Sequence, residues 1–155
     1  MIRKAELKDK EEIIGLLNQV LDIHHNVRPD LFKKNARKYT GEQLTDILNN
    51  PEKPVFVYET DNKVAGYAFC ISQRHINDNI LTDIKTLYID DLCVSKEYRG
   101  KGIGKELYYY VLDYARKNDF YNLTLNVWYD NTSALKFYEN LGLNIQKIGM
   151  EKILK

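Results

Sequence analysis

Asp90-Asp91-Leu92-Cys93-Val94-Ser95-Lys96-Glu97-Tyr98-Arg99-Gly100-Lys101-Gly102-Ile103-Gly104-Lys105 is the stretch that decides the fold. An extended apolar run feeds a turn with three alternate glycines. The turn feeds a helical pattern with Ile103, Leu107, Val111 and Ala115 on one stripe. Glycines at such a junction take positive φ and let the backbone approach a ligand without a Cβ in the way. The first N–H groups of a helix have no partner inside it, and the helix dipole favours an anion beside them. Arg99, Lys101 and Lys105 add positive charge within the same few residues. A phosphate or pyrophosphate is the natural ligand; the plainer reading is a tight turn whose cations are merely solvated.

Working upstream, Lys85 to Val94 reads as one extended run. Val55 to Glu59 and Val64 to Ser72 form a hairpin about the turn Asp61-Asn62-Lys63. Pro51 and Pro54 mark a loop before it. Thr40 to Asn49 is a short helix, with Thr40 as cap and Gln43 completing a capping box. An amphipathic helix opens at Lys8-Asp9 and carries Ile13, Ile14, Leu16, Leu17, Val20, Leu21 and Ile23; the segment from His24 to Asp30 is expected to break it. Ile2 to Glu6 is a first strand. Downstream, Asn122 to Trp128 reads as a strand, Asn131 to Leu141 as a helix ended by Gly142, and Leu143 to Leu154 as a final strand or hairpin. The order is βααβββαβαβ, an α/β sheet protein. Of the helical tyrosines 108, 109, 110 and 114, about two are expected in the core, since tyrosine is amphipathic.

The chain has 155 residues, the size of one domain, and no repeat or linker divides it. Lys and Arg number 23 against 22 Asp and Glu, a balance that argues against nucleic-acid binding. Cys70 and Cys93 lie in apolar runs and read as buried thiols of a reducing compartment. Met1-Ile2-Arg3-Lys4-Ala5-Glu6 has no apolar core behind its charges, so no signal peptide is expected, and no apolar run approaches the roughly 18 residues of a membrane span. The expectation is a soluble cytoplasmic protein with no membrane partner.

The anion can be narrowed by exclusion. Gly104-Lys105 is followed by Glu106, so the P-loop pattern fails. The glycine spacing is G-x-G-x-G, late in the chain, so the dinucleotide pattern fails as well. Instead, Arg99-Gly100-Lys101-Gly102-Ile103-Gly104, preceded by Leu92-Cys93-Val94 on a strand, resembles the acetyl-CoA signature of the GNAT N-acetyltransferase superfamily. A second segment, Asn131-Thr132-Ser133-Ala134-Leu135-Lys136-Phe137-Tyr138-Glu139-Asn140-Leu141-Gly142-Leu143, is similar to that family's late motif, with Leu143 where Phe is commoner.

The resemblance implies a mixed, mostly antiparallel sheet, splayed in the middle, with helices on both faces. It implies one N-acetyltransferase domain over residues 1–155, which moves an acetyl group from acetyl-CoA to a primary amine by direct attack in a ternary complex. A small-molecule acceptor is favoured over a protein, no metal takes part, and a homodimer fits the family habit and the exposed tyrosines. The turn from Arg99 and Gly100 through Lys101, Gly102, Ile103 and Gly104 to Lys105 would hold the coenzyme pyrophosphate. Leu92, Cys93 and Val94 would pair with the pantetheine, and Asn131, Ala134 and Tyr138 would complete the coenzyme site. For Asn131 a bare helix cap is the rival role.

Attack requires a neutral amine, hence a base. Asp90 and Asp91 sit consecutively in mid-strand, where Asp is disfavoured and a buried carboxylate is costly. Strand alternation should put them on opposite faces, so that one alone reaches a given cleft. The resemblance ranks Asp90 first as base and Asp91 second; the rival role is a structural ion pair. The resemblance also implies that Tyr138 would be the acid that serves the leaving thiolate, and since a thiol titrates near about 8.5 and a phenol near about 10 such donation would cost little. Its rival role is core packing with Phe137 and Leu141. His24 and His25 read as an exposed helix end, and Arg28 to Phe32 as a wall of the acceptor site. Cys93 has no neighbour that would make it a nucleophile. The alternative reading of the whole chain is a non-catalytic acyl-CoA-binding module of the same fold. A nucleotide-phosphate enzyme is a third.

Overall fold

The structure, a computed structural model, describes residues 1–155. Its elements are β1 (Ile2–Lys4), α1 (Lys10–Val27), α2 (Gly41–Leu48), β2 (Val55–Thr60), β3 (Lys63–Gln73), β4 (Thr86–Val94), α3 (Ile103–Lys117), β5 (Asn122–Leu125) and α4 (Thr132–Asn140). The strands form one open sheet in chain order, antiparallel from β1 to β4 and parallel between β4 and β5.

Each element follows from its local sequence. Asp61 and Asn62 both take positive φ, which lets β2 turn straight back into β3. Thr40 accepts from the Gln43 N–H at 3.1 Å and the Gln43 side chain accepts from the Thr40 N–H at 2.9 Å, so the expected capping box opens α2. Ile13, Leu16, Leu17 and Val20 of α1 are buried with Leu44 of α2 against one sheet face, beside Tyr67, Phe69 and Cys93. Tyr108, Val111 and Ala115 of α3 are buried against the other face, beside Ala68, Leu87 and Ile89. Each such large aliphatic side chain contributes about 1.5–3 kcal/mol by leaving water. Tyr108 is buried and Tyr114 packs at the core margin, while Tyr109 and Tyr110 are exposed, the expected division.

Three local expectations are corrected. Helix α1 does not break at His24 but runs to Val27: Pro29 constrains Arg28, whose backbone leaves the helical region, and earlier residues stay helical. Strand β5 stops at Leu125, short of Trp128. The last strand does not form: residues 143–155 carry no regular structure. Its apolar residues change parity between Leu143, Ile145 and Ile148, so no single face alternates, and Ile145, Ile148, Met150, Ile153 and Leu154 are exposed.

A break in β4 shapes the rest. Phe69 of β3 pairs with Asp91, but the next residue, Cys70, pairs with Ile89. Asp90 is the extra residue of a β-bulge, which bends its strand and increases its twist. Beyond Ile89, β4 has no partner in β5. The sheet therefore opens between these two strands over residues 90–94. No helix is long and apolar enough to cross a membrane.

Candidate active site

The bulge overturns the expectation that alternation parts the two carboxylates. Before it, Leu87 and Ile89 pack on the α3 face; after it, Cys93 packs on the α1 face. Residues of the same parity thus change sides at Asp90. Asp90 and Asp91 consequently both line one cleft, of about 230 Å³, with Leu17, Val20, Leu21, His24, Phe32 and Lys38.

Asp91 is buried and receives the Tyr67 hydroxyl at 2.7 Å. Burial pushes its carboxyl above the ordinary value, and the Lys38 ammonium and the Tyr67 hydroxyl offset only part of that. The Lys38 Nζ lies 3.2 Å from Asp90 Oδ2 and 3.8 Å from Asp91 Oδ2. Burial works against that ammonium, yet the charges of Asp91 and Asp90 prevail and raise its pKa. The Tyr39 hydroxyl lies 3.4 Å from Asp90 Oδ2.

The rim opposite is aromatic. Phe32 lies 5.0 Å from the His24 ring and meets Trp128 edge-on at 5.6 Å. The Arg28 guanidinium stands 5.9 Å from the Trp128 ring and pairs with Asp30 and Glu151. His25 holds the Phe32 carbonyl through Nδ1 at 2.8 Å. Of the segment expected as a wall, Phe32 reaches the cleft. His24 does too, although the sequence reading left it at an exposed helix end. The signal was present: His24 continues the buried stripe Ile13, Leu16/Leu17, Val20 by one more turn. Burial lowers its pKa, with Asp91 pulling the other way. Lys38 and Trp128 had no signal in the sequence.

The glycine turn is built as its composition implied. Gly100 and Gly102 take φ of 79° and 80°. No side chain caps α3, whereas Asn131 accepts from the Ala134 N–H at 3.3 Å and so caps α4. The amides of Ile103, Gly104 and Lys105 therefore face out of the helix without an intrahelical acceptor. A Cβ on Gly104 would stand 3.4 Å from the Phe137 ring, an ordinary contact distance, so the start of α3 lies close against α4. The Ser95 N–H donates to the Ala65 carbonyl at 2.8 Å. Hydrogen-bonded residues alternate along an antiparallel ladder, so Cys93 also points its backbone at β3. Leu92 and Val94 turn their N–H and C=O groups to the open edge, where Arg99 Nε already reaches the Val94 carbonyl at 3.2 Å.

Two groups remain. Cys93 is buried, its Sγ 4.0 Å from the Leu16 carbonyl, and burial pushes its thiol up to about 12, so it is no nucleophile at neutral pH. Tyr138, on α4, has its phenol raised by burial and by the charge of Asp91. It keeps its proton at neutral pH and so is available as an O–H donor.

The arrangement is an uncapped helix start, an open strand edge and a carboxylate pair beside that edge. In sequence and fold the chain is similar to known proteins. The sequence model of the Acetyltransferase (GNAT) family matches residues 17–143. Peptidyl-lysine N-acetyltransferase YjaB of Salmonella typhimurium is 28% identical over 145 residues, 93% of this chain and 83% of that protein. Glucosamine 6-phosphate N-acetyltransferase of Arabidopsis thaliana is 26% identical over 155 residues, 97% of this chain and 94% of that protein. The crystal structure of a tetramutant of the BH1408 protein from Bacillus halodurans superposes with a TM-score of 0.93 at 28% identity, covering 99% of each chain.

Proposed function

The chain belongs to the acetyltransferase (GNAT) family, and on that premise we propose how its residues divide the work. It is an N-acetyltransferase, and its family takes the acetyl group from acetyl-CoA. In our reading the amides of residues 100–105, with Arg99, Lys101 and Lys105, receive the coenzyme pyrophosphate. The left-handed Gly100 and Gly102 and the uncapped start of α3 support this. The pantetheine arm runs along the open edge at residues 92–94, on the outward backbone groups of Leu92 and Val94 and not on those of Cys93, which face β3, with Asn131, Ala134 and Tyr138 across the splay. An outward amide there donates to the thioester carbonyl oxygen as charge grows on it.

The acceptor enters from the α1 side. Asp91 takes the amine proton and Asp90 holds the ammonium beforehand. This order reverses the one the family resemblance implied. Asp91 is the buried member with the raised carboxyl, nearer in proton affinity to the amine it must relieve. Tyr138 donates its hydroxyl proton or a hydrogen bond to the departing sulfur. The acceptor is a small cationic amine: two carboxylates and an aromatic rim suit an alkylammonium. The 155 residues act as a single domain, and the exposed Tyr109 and Tyr110 of α3 support contact between two copies.

The observation that carries this reading is the bulge at Asp90, which sets both carboxylates beside the open edge of β4. The test is release of free thiol from acetyl-CoA in the presence of small amines, amino sugars and lysine peptides. Turnover is expected with cationic small amines. Coenzyme binding without turnover on any amine would leave a binding module instead.

A further inference from the structure

Lys38 occupies the cleft that the acceptor should enter. Its Nζ sits 3.2 Å from one carboxylate of the pair and 3.8 Å from the other, where an incoming ammonium would be held. It is the one lysine or arginine among the residues that line the cleft. No helix or strand holds it: Lys38 belongs to the stretch between α1 and α2 that has no regular structure at its position. Its side chain keeps 28% of its exposure, so it reaches in from the mouth and is not locked into the core.

We propose that Lys38 is a modification site of the enzyme itself: its ε-amine accepts an acetyl group from acetyl-CoA bound on the same chain when no free amine fills the cleft. This rests on the acetyl-transfer reading above. The Lys38 ammonium loses one proton to the Asp90/Asp91 pair. The neutral nitrogen forms a bond to the thioester carbonyl carbon, the carbon–sulfur bond breaks, and the electron pair leaves with sulfur. The thiolate takes up one proton and the new amide nitrogen gives up one, so coenzyme A and an N-acetyl-lysine are the products. The carboxylates then face a neutral amide, and the acetylated arm no longer competes as an ammonium. A lysine side chain is also a primary alkylamine, so its seat between the carboxylates indicates the chemistry the free acceptor carries.

The test is to incubate the purified protein with acetyl-CoA and no amine, follow intact mass, and map the modified peptide. One acetyl group per chain on Lys38 is expected, at a rate per chain independent of protein concentration. Lys38→Arg should gain none. Unfolded protein treated alike should leave this lysine unlabelled; equal labelling there would mean that acetyl-CoA acts without a site and would overturn the proposal. An unlabelled Lys38 in a preparation that turns over a free amine overturns the proposal and spares the transferase reading. Labelling spread equally over surface lysines, or a rate that rises with protein concentration, overturns it as well. Neither label nor turnover on any amine removes both together. If Lys38→Arg folds poorly, Lys38→Met with the same mapping supplies the comparison.

Discussion

Removing the Tyr67 hydroxyl tests the assignment of Asp91 most directly. Tyr67 is fully buried and its hydroxyl donates to Asp91 at 2.7 Å, so Tyr67→Phe deletes one oxygen and little else. Asp91 keeps the Lys38 ammonium at the longer distance of 3.8 Å. A hydrogen bond to a buried charge contributes about 1.5–3 kcal/mol, and for a domain of this size that corresponds to a fall of roughly 3–12 °C in melting temperature. The effect depends on pH with a definite sign. Burial holds the folded Asp91 carboxyl above its ordinary value of 3.8. The folded chain therefore binds more protons than the unfolded one between the two values, and stability falls as pH rises through that window. The hydroxyl opposes this shift, so its loss pushes the folded titration further up. The penalty of Tyr67→Phe should be largest at neutral pH and shrink in acid, where Asp91 is protonated in both states.

Activity should respond in the same direction. A base must be ionised, so the acid limb of kcat/KM moves to higher pH in Tyr67→Phe while coenzyme affinity is unchanged. Denaturant unfolding at several pH values, together with the pH–rate profile, measures both. A loss of stability with an unmoved acid limb refutes Asp91 as base and returns the role to Asp90.

Other substitutions separate the remaining roles. Gly102→Val forces a branched side chain to φ of 80°, where no protein atom lies within 4 Å of an added Cβ, so in the free protein the damage comes from backbone strain rather than from a Cβ clash. That conformation costs an ordinary residue about 1–2 kcal/mol, and coenzyme A affinity by calorimetry should fall by more than tenfold, about 1.4 kcal/mol. Gly102→Asn should keep more of it, because Asn enters the left-handed region readily; equal affinity in all three proteins would take the turn out of the site. Tyr138→Phe should lower turnover by about 100- to 10,000-fold with coenzyme affinity intact, as loss of a general acid does. For His24, burial lowers the folded pKa below the ordinary 6.5, so the unfolded chain binds the extra proton and stability is lost as pH falls below that value. His24→Gln should melt with a smaller difference between neutral and mildly acid pH.

What the sequence made legible was local. The capping box of α2, the hairpin turn at Asp61-Asn62 and the glycines before α3 are each read from a few neighbouring residues, and each forms as read. The stripe of α1 was legible too, and followed one turn further it would have put His24 in the cleft. Register was not legible. No residue type announces that Asp90 is the extra member of its strand, and one inserted residue reverses every facing after it. The expected tail strand failed for the same reason: apolar residues without steady parity and without a partner ladder do not make a strand. Lys38 was invisible because it comes from a stretch without periodicity and meets Asp90 across 52 residues of chain.

The bulge also explains why two consecutive acidic residues survive in mid-sheet. In a regular strand one of them would point into the α3 core among Leu87, Ile89 and Val111, where an unpaired carboxylate is costly. With the extra residue both turn to the α1 side, where Lys38, Tyr39 and Tyr67 supply partners. The bulge falls where β5 ends, at Leu125 opposite Ile89, and beyond it Leu92 and Val94 present backbone groups to a gap instead of a neighbour. Regular pairing to β5 would fill that gap, and regular alternation would separate the carboxylates. The register shift in β4 and the end of β5 thus meet at one place, and in the proposed reading they set an extended ligand along the strand edge beside its proton acceptor; restoring the regular register would part the two carboxylates.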